Sequence, residues 1–235
     1  MITTSFIEDL RYFYNLLNEK IPFSISRFGD GEMMVMEGQS LNLLHKKEFN
    51  FQGEEHLKND LIRSFQHNQE NYFVGVACPC CVGQEKSTWM KENTYLPDKC
   101  LTWANIFVNS NFSFFKKKII PLFKIYNVTL VAQGNPKNLQ FNVKNFYPIG
   151  SNAWVNNTDV YEKLRQQIIE NKTQNELFIF CAGPYANILC SKLFNEFPNN
   201  TFIDIGSVFN VELGIGANRG YLQGANTLNK ICIWN

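Results

Sequence analysis

Seven consecutive residues, Ser26-Arg27-Phe28-Gly29-Asp30-Gly31-Glu32, set a guanidinium, two glycines and two carboxylates side by side. Across the single glycine between them, Asp30 and Glu32 can converge in a turn on one hard divalent cation, magnesium or manganese. Gly29 and Gly31 let the backbone approach a ligand closely. Arg27 offers a planar fork to phosphate or carboxylate oxygens. A cation held by only two carboxylates completes its shell with phosphate oxygens and water, so the chemistry indicated is phosphate chemistry. The same residues also have a plainer use, in which Asp30 caps a following helix and Glu32 complements its dipole. Spacing alone does not choose between the two.

Three further stretches carry chemistry-bearing residues. Cys181-Ala182-Gly183-Pro184-Tyr185 turns from an apolar run into a helical one, and a Gly-Pro turn of that kind leaves helix N-terminal amides as an anion site. Its plainer reading is punctuation between strand and helix. Asp204 is a lone acid inside the apolar run Phe202-Ile203-Asp204-Ile205, where an ionised carboxylate is costly without a partner or ligand. It is either a base or ribose contact, or a satisfied structural carboxylate, and Glu212 is the second candidate for the base. Trp103-Ala104-Asn105 offers an aromatic platform and an amide to a sugar or base, unless the Trp is simply core. No G-x-G-x-x-G follows a strand and no Walker loop occurs. Cys78-Pro79-Cys80-Cys81 matches neither zinc-finger spacing nor a clean thioredoxin pair. His45, His56 and His67 receive no role, and Lys116-Lys117-Lys118 reads as a solvated face.

These residues need elements to hold them. Apolar positions from Ser5 to Lys20 fall at three- and four-residue spacings, which predicts an amphipathic helix capped by Thr4 or Ser5 and ended before Pro22. Residues 23–28 predict a short strand that delivers the chain into the Gly29-Asp30 turn and a second helix. Helices are expected over 54–69, 113–126 (interrupted by Pro121), 159–171 and 185–197, and strands over 72–77, 99–104, 128–133, 177–182 and 201–205. Five-residue strands alternating with longer helices predict an α/β fold, a doubly wound, Rossmann-like and largely parallel sheet, with residues 1–235 as one domain. Ligands of such sheets bind at the carboxyl ends of the strands, where the motifs fall.

Composition narrows the function from the other side. The 235 residues carry 22 basic and 21 acidic side chains, a formal net charge of +1, which argues against partners such as nucleic acid or an anionic membrane surface. Hydrophobic residues at 45%, including 21 Phe, suffice for a substantial core. Seven cysteines cannot all pair, no signal peptide opens the chain, and no apolar run is long enough for a transmembrane segment. A cytoplasmic setting with reduced thiols is expected.

The stretch Ser26 to Glu32 resembles the signature of the GT-D-fold glycosyltransferases, a family long known as a domain of unknown function, in which Arg-Phe-Gly runs into an Asp-x-Glu metal motif. Gly183-Pro184-Tyr185-Ala186 and, about twenty residues on, Asp204-Ile205-Gly206 are similar to that family's later strand ends. The resemblance implies a GT-D fold and a metal-dependent glycosyltransferase that moves sugar from a nucleotide diphosphate sugar, with uridine diphosphate as the nucleotide, to a glycan or glycoprotein acceptor. Asp30 and Glu32 would hold Mn2+ or Mg2+ beside the diphosphate. Arg27, Phe28, Gly29, Gly31, Asn105, Gly183, Pro184 and Tyr185 would face the donor. Ser151-Asn152-Ala153-Trp154 resembles the family's Asn-Ala segment, which puts Asn152 and Trp154 near the nucleotide. Many members follow Asp-Ile-Gly with histidine, and this chain has Ser207 there. The Asp-Gly-Glu pair fits a metal-dependent phosphohydrolase or nucleotidyl transferase equally well, while the alternative of a non-catalytic nucleotide-sugar binding module is argued against by the intact carboxylates of Asp30 and Glu32.

Overall fold

A computed structural model describes residues 6–39 and 55–223. The proposed caps Thr4 and Ser5, residue 54 and His45 lie outside the described residues. Seven strands form one sheet in the order β3-β2-β1-β7-β6-β4-β5, and every adjacent pair is parallel. They are β1 (Ser24–Arg27), β2 (Tyr72–Val76), β3 (Leu101–Trp103), β4 (Val128–Ala132), β5 (Val143–Pro148), β6 (Leu177–Cys181) and β7 (Thr201–Asp204). Strands β2 and β4 are buried along their whole length, as a sheet covered by helices on both faces requires, and this is why they read as largely apolar runs.

Helix α1 (Phe6–Asn18) buries Leu10, Phe13 and Leu17, and the Phe13 ring meets Phe73 of β2 edge-on at 5.2 Å. The short helix α2 (Asp30–Met36) starts three residues after β1, and α3 (Glu55–Phe65) precedes β2. A single turn, α4 (Pro79–Val82), and then α5 (Gln84–Asn93) follow β2. The expected helix over 113–126 is instead a string of turns: α6 (Phe112–Phe114), a π turn Phe115–Ile119 and a 3-10 run Ile120–Ile125. Pro121 has no N–H to give to an α-helical ladder, which accounts for the tightening there. Helices α7 (Ala153–Asn156), α8 (Val160–Glu170) and α9 (Pro184–Glu196) complete the set. Among the described residues no helix is long and apolar enough to cross a membrane.

Helix α9 lies against the middle of the sheet, which explains its burial on nearly every side. Asn187 donates from Nδ2 to Ser26 Oγ at 3.1 Å and to the Arg27 carbonyl at 2.8 Å, fastening the helix to the end of β1. The chain winds outward from β1 through β2 to β3, crosses to the other half, and returns by β6 and β7 to β1. The segments that follow β1 and β7 leave the sheet on opposite faces: α2 packs on α3 beside α9, whereas the chain after Asp204 reaches Phe112 and Lys116 on the face of α1. Where loops after neighbouring strands diverge in this way they leave a crevice.

Candidate functional site

The crevice is a cleft of about 380 Å³, enclosed by the segments that follow β1, β7, β6, β4 and β5. It collects Arg27, Gly29, Asp30, Gly31 and Glu32 from the first strand end with Asn152, Gly183 and Asp204 from the others. Most of the residues singled out by type, spacing or the family resemblance thus meet in one place, from stretches far apart in the chain.

Arg27 and Asp204 meet there as partners. Arg27 donates from Nε to the Asp204 carbonyl oxygen at 2.8 Å and from Nη1 to the Ala104 carbonyl at 2.9 Å, and its Nη2 stands 3.5 Å from Asp204 Oδ1. The guanidinium also lies 5.6 Å from the centre of the Phe107 ring. The fork expected to grip phosphate is therefore largely committed to the ends of β7 and β3. Asp204 is committed in turn, with Oδ2 accepting from the Arg27 amide at 3.2 Å and Oδ1 from the Gly206 amide at 3.0 Å. Burial pushes its pKa up, opposed by the Arg27 charge and the two amides. Of the two readings of Asp204, this geometry matches the satisfied structural carboxylate. Gly206 makes the pairing sterically possible: at φ 59°, a Cβ there would stand 2.3 Å from Arg27 Nη2.

Asp30 and Glu32 occupy the first turn of α2, but the capping differs from the expected one. Gly29 is the residue at the cap, and Glu32 reaches back so that its Oε2 accepts from the Gly29 amide at 2.9 Å. Asp30 Oδ1 accepts from the Gly31 amide at 3.0 Å. Both residues line the cleft. Loss of hydration raises the Glu32 pKa to about 7, with the charges of Asp204 and Asp30 adding to the rise against the helix amides that lower it.

A buried carboxylate flanked by two others is a place where a cation relieves repulsion, and hard oxygen donors suit magnesium or manganese. Among the described residues no third His, Cys, Asp or Glu closes a metal-binding group with Asp30 and Glu32. The residues present therefore fit a cation that takes the rest of its shell from diphosphate and water.

Gly183, at φ 56° and ψ −142°, bends the chain from β6 into the thirteen-residue helix α9 and points the positive end of that helix at the cleft. Pro184 at its first position has no amide to offer, so the attraction for an anion there comes from the helix dipole and the remaining amides. Asn152, at φ 54°, lines the cleft ahead of α7, and its Oδ1 accepts from the Trp154 indole at 3.0 Å.

Other expected donor contacts lie elsewhere. Phe28 is fully buried against Phe65, because consecutive residues at a strand end point to opposite sides and Arg27 takes the cleft side. Trp154 is buried and serves Asn152 rather than stacking in the cleft. Tyr185 braces the far side of α9, donating to the Thr158 carbonyl at 2.9 Å and accepting from the Tyr161 amide at 3.1 Å. Pro184 and Asn105 are buried outside the lining, with Asn105 Nδ2 turned to Cys78 Sγ at 3.8 Å. Glu212 is also off the cleft, its Oε1 3.9 Å from Lys116 Nζ.

The cleft includes side chains that the motifs did not indicate. Gln133 follows β4, while Ser207 and Tyr221 share a 2.7 Å hydroxyl contact on the wall next to β7. Arg219 adds a positive charge beside them. The one available signal for Arg219 was its place among glycines, Gly214 to Gly220, downstream of the last strand.

No protein-family model matches the sequence, and no curated protein matches it. Among solved structures the chain is similar to a glycosyltransferase, domain of unknown function 1792, from Streptococcus sanguinis. The TM-score is 0.57 at 18% identity, covering 85% of this chain and 80% of that one. A selenomethionine-substituted structure of domain of unknown function 1792 gives a TM-score of 0.57 at 18% identity over 89% of this chain and 80% of that chain. A structure of the same domain, described as having a distinct glycosyltransferase fold, gives 0.56 at 17% identity over 89% and 80%. The seven-stranded parallel architecture of this chain is that glycosyltransferase fold, as the resemblance of the Arg-Phe-Gly-Asp-Gly-Glu stretch implied.

Proposed function

We propose that the protein is a metal-dependent glycosyltransferase that transfers a sugar from a nucleotide diphosphate sugar, with uridine diphosphate as the nucleotide, to a hydroxyl of a glycan or glycoprotein acceptor. One observation carries the reading: two carboxylates and the N-terminus of a long helix line a single cleft at the carboxyl ends of β1 and β6. The fold shared with solved glycosyltransferases supports it.

Asp30 and Glu32 would hold Mg2+ or Mn2+, which when bound supplies charge neutralisation to the departing diphosphate. The dipole of α9 below Gly183 adds favourable potential for the same phosphates. Asn152, fixed by the Trp154 indole, orients the nucleotide. Arg27 contributes positive potential while keeping the ends of β1, β3 and β7 in register, and Asp204 acts by holding Arg27 in place. Glu212 takes no part in proton transfer.

The test is release of nucleoside diphosphate from a panel of nucleotide sugars and acceptors, with manganese and with chelator. Sugar-dependent release that needs the metal and is lost in Asp30→Asn/Glu32→Gln supports the proposal. Release of inorganic phosphate would make the protein a phosphohydrolase, and tight donor binding without turnover would make it a binding module.

A further inference from the structure

Three cysteines gather outside the cleft, where the chain leaves β2. Pro79 takes the first position of α4 and leaves Cys78 as an extended residue before it, at φ −79° and ψ 157°. The amides of Cys81 and Val82 then donate back to the Cys78 carbonyl at 2.9 and 3.2 Å. This one turn curls three side chains toward a common point. Cys78 Sγ stands 2.8 Å from Cys80 Sγ and 3.2 Å from Cys81 Sγ, and all three sulfurs lie within 4.8 Å of one another. None is in a disulfide. Among the described residues this is the one place where three metal-ligating side chains converge.

A thiol is a weak donor and a weak acceptor, so hydrogen bonding between sulfurs gives little reason for three of them to crowd. A thiophilic cation gives a strong one. Thiolates 2.3 Å from a tetrahedral zinc ion stand about 3.8 Å apart, so an outward shift of each sulfur by well under about 1 Å converts the cluster into a ligand set. A disulfide would use two of the sulfurs and leave the third, whereas a cation uses all three. Cys78 is buried while Cys80 and Cys81 are exposed, which leaves the fourth coordination position toward solvent.

We propose that Cys78, Cys80 and Cys81 form a three-thiolate site for zinc, distinct from the carboxylate pair in the cleft. Binding releases the thiol protons as the sulfurs become ligands. Asn105 Nδ2, 3.8 Å from Cys78 Sγ, is placed to support the buried thiolate, and the neighbouring Ala104 carbonyl receives Arg27 Nη1. Zinc at this site therefore ties the turn after β2 to the loop after β3 that carries one end of the Arg27 clamp.

Cobalt titration of the reduced full-length protein tests the proposal, because cobalt held by thiolates produces a charge-transfer absorption in the near ultraviolet. The expected result is saturation at one equivalent with proton uptake by the buffer during the cobalt step, followed by displacement by one equivalent of zinc with no further proton release. Cys80→Ser and Cys81→Ser, both at exposed positions, each weaken cobalt binding by about tenfold or more, and the double variant loses the band with its circular dichroism unchanged. Asp30→Asn/Glu32→Gln keeps the band, since oxygen-ligated cobalt does not produce it, so this outcome stands apart from the fate of the glycosyltransferase reading. A reduced protein with no band, or a band that survives in Cys80→Ser/Cys81→Ser, overturns the site.

Discussion

Replacing Arg27 separates two roles that the sequence leaves equal: a fork for the ligand's phosphates, and a clamp across strand ends. Its side chain is 10% exposed and that of Asp204 is 6% exposed, so the pair is close to fully desolvated. Removing one partner of such a pair leaves an uncompensated buried charge, which costs about 3–5 kcal/mol. Arg27→Met takes three interactions from the ends of β3 and β7 and leaves Asp204 with its two amides alone. Asp204→Ala strands the guanidinium and also the amides of Arg27 and Gly206. In a chain of this length 1 kcal/mol moves the melting temperature by about 2–4 °C, so each single variant should melt about 10 °C lower. The double variant should cost well below the sum of the singles, with a coupling of about 2 kcal/mol or more, because the second substitution removes the charge that the first one stranded. Urea denaturation at pH 7 measures all four proteins, and calorimetric titration with uridine diphosphate measures the cleft. If Arg27→Met loses less than about 1 kcal/mol of stability while uridine diphosphate binding disappears, the clamp reasoning is refuted and the fork is a ligand contact.

Other expectations are as definite. Gly206→Ala puts a Cβ 2.3 Å from Arg27 Nη2 at a residue with φ 59°, so it should cost about 2 kcal/mol or more in denaturation and reproduce the Arg27→Met phenotype. Tyr185→Phe removes a hydroxyl that bridges the Thr158 carbonyl and the Tyr161 amide, for a loss of about 1–2 kcal/mol with donor affinity unchanged; a fall in affinity would return Tyr185 to the binding surface. Glu32→Gln keeps an oxygen for the Gly29 amide but cannot ionise. The rise of the Glu32 pKa from 4.5 to about 7 means that the folded state holds a proton the unfolded state has released. Wild-type stability present below pH 4.5 is therefore lost as pH climbs through 7, by at most about 3 kcal/mol, and Glu32→Gln escapes the loss. In chelator the variant's advantage should grow from near zero at pH 4.5 to its full value at pH 8, and manganese should shrink it; a pH-independent difference in denaturation would sink the assignment.

How far the fold could be read ahead follows from where each strand sits. β2, β4 and β6 are interior strands, and their burial on both faces leaves apolar runs that stand out in any window. β5 has a neighbour on one side alone, and its sequence Val143-Lys144-Asn145-Phe146-Tyr147-Pro148 is half exposed, so it carries no such run and was missed. Its terminal proline suits an edge and would be costly inside the sheet. The π and 3-10 turns over 115–125 kept helical apolar spacing, and nothing local distinguishes them from an α-helix with a proline in it. Helix α5 was missed for the opposite reason: Gln84–Asn93 is mostly polar and buries little besides Ser87 and Met90.

The candidate site was legible in its location and much less so in its roles, for one physical reason. A parallel sheet gathers every strand's carboxyl end on one edge, so residues just after strands are brought together whatever their side chains do next. What each side chain does next depends on partners far off in sequence. Arg27 and Asp204 are separated by 177 positions, and each looks unpaired until β1 and β7 lie side by side. Once they do, a guanidinium that reads as a phosphate fork and a carboxylate that reads as a base satisfy each other, and the proposed ligand chemistry rests on Asp30, Glu32 and the end of α9. Trp154 follows the same logic at shorter range, because its indole is committed to Asn152 and the residue left facing the cleft is the asparagine. A charged or aromatic residue at a strand end therefore marks where ligand chemistry occurs, and the oxygens and amides still uncommitted after the strands pair decide which residues perform it.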